Sequence, residues 1–93
     1  MKIDYLYWKE HLEEKILWKH GVTRDEVEEV VYEGDPEVRS CGKQRYCFFG
    51  QTQDGRYLFI VVAKEDDGVW VPITGRDMSV SEKRAYKRRL GRK

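Results

Sequence analysis

The sequence predicts an α+β fold with elements in the order β-α-α-β-β-β-β-α, an antiparallel sheet preceded by two helices and followed by a basic one. Three observations carry that prediction. Two stretches with helical spacing and recognisable ends precede residue 35. Four β-branched and aromatic runs, divided by turn signals, follow. Ser79 and Glu82 then form a capping box that opens a helix carrying Tyr86 among five Lys and Arg residues.

Lys2 to Tyr7 alternates, with Ile3, Tyr5 and Tyr7 on one side, and predicts a short first strand. From Trp8 the period lengthens. Trp8, Leu12 and Ile16 recur every fourth residue, and Gly21 after His20 is placed as a C-terminal cap. Thr23-Arg24-Asp25-Glu26 is a second capping box, and Val27, Val30 and Val31 give the second helix its buried stripe. That helix should stop at Gly34, before Asp35-Pro36. Strands are expected near 37–41, 45–52, 56–64 and 69–75, with Gly42, Asp54-Gly55 and Asp66-Asp67-Gly68 as turns.

If Asp54-Gly55 is a two-residue hairpin loop, Cys47, Phe49 and Gln51 share a sheet face with Val62, Ile60 and Leu58. Val69, Val71 and Ile73 extend that face, which is then the core beneath the first two helices. The opposite face carries Tyr46, Phe48, Tyr57, Phe59, Trp70 and Arg76. It is too aromatic for a plain solvent face, so the basic helix, a partner or RNA bases are expected to cover part of it.

Ninety-three residues suit one domain, 1–93, able to bury roughly 60–65% of the unfolded chain's surface. The formal net charge of +1 hides a division. After residue 75 stand eight Lys or Arg against two Asp or Glu, a net of +6, which leaves −5 for the first 75 residues. Such asymmetry points to a polyanionic partner for the last helix. The N-terminal residues lack the apolar run of a signal peptide or membrane span, so a cytoplasmic protein without membrane association is expected. Cys41 and Cys47 match neither a zinc knuckle nor a redox motif and are expected to be reduced. His20 falls at a helix end, where the dipole favours it, and His11 lies mid-helix; no metal site or cofactor is expected.

Lys19-His20-Gly21-Val22 closing the first helix, Gly42-x-x-Arg45-Tyr46 leading a strand, Asp54-Gly55-Arg56-Tyr57-Leu58 at a hairpin, and Ile73-Thr74-Gly75-Arg76 followed by Glu82-x-x-x-Tyr86 stand in order along most of the chain. In this ordered set the sequence resembles the BrnT family of bacterial type II toxins, within the wider RelE/ParE-like fold. The resemblance implies a small ribonuclease that arrests translation, held inactive in a hetero-oligomer by a cognate DNA-binding antitoxin. Two positions depart from the family pattern: Lys9, where many members are acidic, and Asp77, where many carry a second basic residue after the arginine matching Arg76.

Metal-free RNA cleavage needs a base for the 2′-hydroxyl, cations for a phosphate gaining charge, and an acid for the leaving oxygen. The resemblance implies Arg56, Arg76, Tyr86 and Arg45 as the catalytic set. The expected register puts Arg56 and Arg76 at one end of neighbouring strands, within reach of a single phosphate beside Tyr86. It puts Arg45 toward the other end, so a bulge is needed there or Arg45 contacts substrate only. A Tyr86 base would need its hydroxyl pKa lowered by neighbouring cations. Lys83, Arg84, Lys87 and Arg88, with Arg89, are expected to bind substrate phosphates. The alternative is a non-catalytic regulator on the same fold that binds protein or nucleic acid, and Asp77 is its ground.

Overall fold

The structure, a computed structural model, describes residues 3–91. Helix α1 spans Glu10–His20, and α2 spans Arg24–Glu28 and continues through one π-helical turn, Glu29–Glu33. Strands β1 (Glu37–Gly42), β2 (Arg45–Gln51), β3 (Tyr57–Lys64) and β4 (Trp70–Asp77) form one antiparallel sheet in chain order, and α3 spans Val80–Leu90. The α+β class is as predicted.

Local chemistry sets the helix ends. Gly21 adopts φ 64°, and its N–H reaches Leu17 O at 2.9 Å, a left-handed cap that glycine adopts without steric cost. Thr23 and Glu26 bond reciprocally at the start of α2, as do Ser79 and Glu82 at the start of α3. The first predicted strand is reduced to a single parallel bridge, Leu6 to Trp70; its Lys2 lies outside the described residues. Ile3 and Leu6, three apart, are the buried pair there, whereas Tyr5 and Tyr7 are exposed. The segment therefore buries two anchors, donates the Leu6 N–H to the Tyr32 hydroxyl at 2.8 Å, and forms no ladder.

The core lies between one sheet face and α1 with α2. Ile16, Val27, Val30 and Val31 meet Phe48, Leu58, Ile60 and Val62 there. Gly50 permits the close approach of the π-helical turn, since a Cβ on it would stand 2.7 Å from Val30 Cγ1.

The β2–β3 register differs by one residue from the expected one. Cys47 faces Val61, Phe49 faces Phe59 and Gln51 faces Tyr57. The cause is the loop, which runs over residues 52–56: Thr52 exchanges bonds with Arg56, and its hydroxyl accepts the Arg56 N–H at 3.0 Å. A one-residue slip turns every side chain of a strand over. Phe48 is thus in the core, 1% exposed, and Cys47 and Phe49 lie on the other face. Tyr46 and Trp70, expected opposite the helices, pack edge to face against the core at 5.3 Å between centroids.

Cys41 and Cys47 form a disulfide, contrary to the expectation of reduced thiols. The bulge between Ser40 and Gly42 brings Cys41 across from β2, with the two Cα atoms 5.9 Å apart, within bridging range. Among the described residues no helix is long and apolar enough to cross a membrane.

Candidate functional site

Helix α3 lies across one end of the sheet, on the face turned away from α1 and α2. Beneath it runs a row of direct cross-strand neighbours: Glu37, Phe49, Phe59 and Arg76, one from each strand. Phe49 and Phe59 pack with centroids 5.1 Å apart, and the Arg76 guanidinium sits 4.2 Å from the centre of Phe59. The two ends of the row pair with α3 in opposite polarity, Arg76 with Glu82 and Glu37 with Arg89. This fixes the helix over the sheet.

Arg76 donates Nη1 to Glu82 Oε1 at 2.8 Å and to the Asp77 carbonyl at 3.0 Å, and Nη2 to Glu82 Oε2 at 3.0 Å. Its Nε and its second Nη2 hydrogen have no acceptor among the described residues. The Glu82 hydrogen bond is the main cause that holds the guanidinium above its ordinary pKa. In return Arg76 depresses the Glu82 carboxyl to about 2, against the opposing effect of burial.

Arg56 turns to the side of α1 and α2. Its Nε and Nη2 hold the Asp77 carboxylate at 2.7 and 3.1 Å, Nη1 holds the two Glu26 oxygens at 3.0 and 3.1 Å and Gly21 O at 2.9 Å, and Nη2 also reaches His20 O at 3.2 Å. All five guanidinium hydrogens are thereby engaged. Arg56 is held above its ordinary value, with the Asp77 bond the largest cause, and Asp77 is held below its own by Arg56. For Glu26 burial acts upward, but the Thr23 N–H and Arg56 outweigh it and lower the carboxyl. Arg56 and Arg76 therefore meet at Asp77, one on its side chain and one on its carbonyl, with their forks directed to different layers rather than to one open phosphate position.

Tyr86 is buried at 5% exposure and packs edge to face on Tyr57 at 6.0 Å. It lines a cavity of about 230 Å³ with Asp35, Pro36, Glu37, Arg89 and Leu90, a lining that does not include Arg76. Burial, with Tyr57, Asp35 and Glu37, raises its hydroxyl pKa, the reverse of what a base at neutral pH requires. Lys83 and Lys87 place their ammonium groups 5.2 and 5.1 Å from the Tyr57 ring centre, and Arg84 and Arg88 are exposed on the outer side of α3. Arg45 is exposed at the far end of β2, opposite Ala63, where its bulge partner is Gly42. The structure thus gathers Arg76, Lys83 and Lys87, brings Arg56 to the same strand end, and leaves Arg45 apart.

Sequence reasoning missed Glu26 and Asp77 as the acceptors of Arg56, Glu37 as the partner of Arg89, and Phe49 on this face. Asp77 carried a signal, a carboxylate directly after Arg76 where the family pattern often has a second cation. Glu26 was legible only as a capping residue. Among the described residues no three His, Cys, Asp or Glu side chains gather in a metal-binding group. Chemically, the arrangement offers two fixed guanidinium groups and an exposed cationic helix over a tilted aromatic pair, which suits a phosphate backbone.

No protein-family model and no curated protein sequence matches the chain. Among solved structures, the fold is similar to that of the Brucella abortus ribonuclease toxin BrnT, with a TM-score of 0.65 and 16% identity, covering 80% of this chain and 95% of that one. The chain has a BrnT-like fold.

Proposed function

We propose that this protein is a ribonuclease toxin that cleaves RNA without a metal and so inhibits translation. One observation carries the reading: on a BrnT-like fold, Arg56 and Arg76 both contact Asp77 at the end of β4, beneath the first turn of a cationic helix. Arg76 has donors to spare, and the Lys83 and Lys87 ammonium groups neighbour it along α3. In this role Arg76 stabilises the phosphate as it gains charge, Arg56 fixes Asp77 beside it, and Lys83, Arg84, Lys87 and Arg88 hold the flanking backbone. A DNA-binding antitoxin protein that covers α3 would silence the site by exclusion, in a cytoplasmic hetero-oligomer.

The test is incubation of purified protein with single-stranded RNA in a chelator, alongside expression in a bacterial host. Cleavage and growth arrest are expected, both relieved by Arg76→Ala with Tyr86→Phe. Intact RNA and unimpaired growth at high expression would overturn the reading. The buried Tyr86, with its raised hydroxyl pKa, favours a second one, a non-catalytic domain that binds nucleic acid or protein. RNA that is bound and left uncut would select it.

A further inference from the structure

The Arg56 guanidinium is held in two different ways at its two edges. On the inner side, Gly21 O, His20 O and both Glu26 oxygens fix it to α1 and α2 at 2.9 to 3.2 Å. On the outer side, Nε and Nη2 form a fork closed by the two oxygens of Asp77 alone, at 2.7 and 3.1 Å. The Arg56 and Glu26 side chains are 28% and 27% exposed, but that of Asp77 is 63% exposed. The fork is therefore anchored from within and capped from the solvent side. Lys83 stands near enough for its charge to act on that carboxylate, and Arg76 holds its backbone carbonyl at 3.0 Å. A carboxylate and a phosphodiester each bring one negative charge and two oxygens at a spacing that an arginine fork accepts.

We infer that Asp77 is an internal stand-in for a phosphodiester: its carboxylate fills an anion site at the outer edge of Arg56, and a nucleic acid strand displaces it. The inference rests on the proposed RNA-directed function and adds an autoinhibitory contact to it. Asp77 is tethered by β4, so only its side chain has to rotate away. The tether gives it a high effective concentration, which a lone anion does not overcome. A strand that also engages the cations of α3 does.

Fluorescence anisotropy of the full chain with a short single-stranded RNA oligonucleotide tests this. Asp77→Asn is expected to bind about tenfold tighter than the unmodified protein, and adding Arg56→Gln is expected to abolish the gain. Asp66→Asn, in the exposed β3–β4 turn, controls for net charge. No gain in Asp77→Asn, a gain equal to that of Asp66→Asn, or one that survives Arg56→Gln overturns the inference. If the variants fail to fold, the unmodified protein still decides: its Arg56 Nε–H resonance is expected to move on saturation with the oligonucleotide, and an unmoved resonance is the contrary result. Inorganic phosphate moving that resonance as far at equal concentration would overturn the assignment to a strand. These are binding readouts, so uncut RNA would refute the proposed cleavage and leave them standing.

Discussion

Arg76 and Glu82 meet fork to fork, at 2.8 and 3.0 Å, where β4 gives way to α3. The same carboxylate accepts the Ser79 N–H at 2.8 Å and so caps the helix. One side chain thus joins the arginine that lies on Phe59 to the start of the basic helix, and the position of the cations depends on it.

Acid should dissolve that joint. Arg76 holds Glu82 at about 2 in the folded protein, against an ordinary value of 4.5. A carboxyl whose pKa is lowered by folding contributes stability above the unfolded value and loses it as pH falls through the folded one. Glu82→Gln is expected to lower stability at neutral pH by about 1–2 kcal/mol after solvent screening, and to flatten the loss between pH 4.5 and 2. Urea melts across that range check it; an unchanged acid limb would refute the assignment.

Arg56 should matter more to folding than any other surface cation. Arg56→Met leaves Glu26, Asp77 and the carbonyls of His20 and Gly21 without their donor. Because the group is partly exposed and water can replace some bonds, a loss of about 2–3 kcal/mol is expected. Chemical denaturation reads it, and a change within about 0.5 kcal/mol would mark the clamp as a surface pair of little weight.

The helix ends were legible in the sequence because each is a local agreement between neighbours: Gly21 with Leu17, Thr23 with Glu26, Ser79 with Glu82. The sheet faces were not. They depend on whether the hairpin loop is Asp54-Gly55 alone or the five residues 52–56, and Asp54-Gly55 fits both. That single count moved Phe48 into the core and Phe49 out to the α3 face. The partners of Arg56 were equally hidden, since Glu26 lies 30 residues away and reaches it only when α2 is laid on the sheet. Lys83 and Lys87 share one exposed side of α3 because their spacing of four sets their side of the helix.

Gly50 tests the packing that holds the π-helical turn on the sheet. Gly50→Ala puts a methyl 2.7 Å from Val30 Cγ1, and a cost of about 1–3 kcal/mol is expected. With Val30→Ala in the same chain the costs should be less than additive, because the second change removes the atom the first one strikes. Additive losses in a double-mutant cycle would contradict the contact.

The disulfide closes a short loop, with Cys41 and Cys47 six residues apart. Replacing both by Ser is expected to cost about 2 kcal/mol, mainly by releasing the unfolded chain. The loss should appear equally when the unmodified protein is melted with a reductant. Melting curves indifferent to reductant would contradict it.

The last expectation concerns salt. Lys83 and Lys87 bracket Tyr57 at 5.2 and 5.1 Å and stay exposed, so their charges are available to a strand that stacks or slides along α3. Each phosphate neutralised by a protein cation releases counterions, and for single strands the slope of log affinity against log salt changes by about 0.7 per contact. Lys83→Glu with Lys87→Glu should therefore flatten the slope by about 1.4 and weaken RNA binding at low salt, if each contacts one phosphate. Lys15→Glu, on the exposed side of α1, should leave the slope unchanged, because α1 lies across the sheet from α3. Equal slopes for the two variants would mean that RNA responds to net charge alone and that α3 is not the surface it meets.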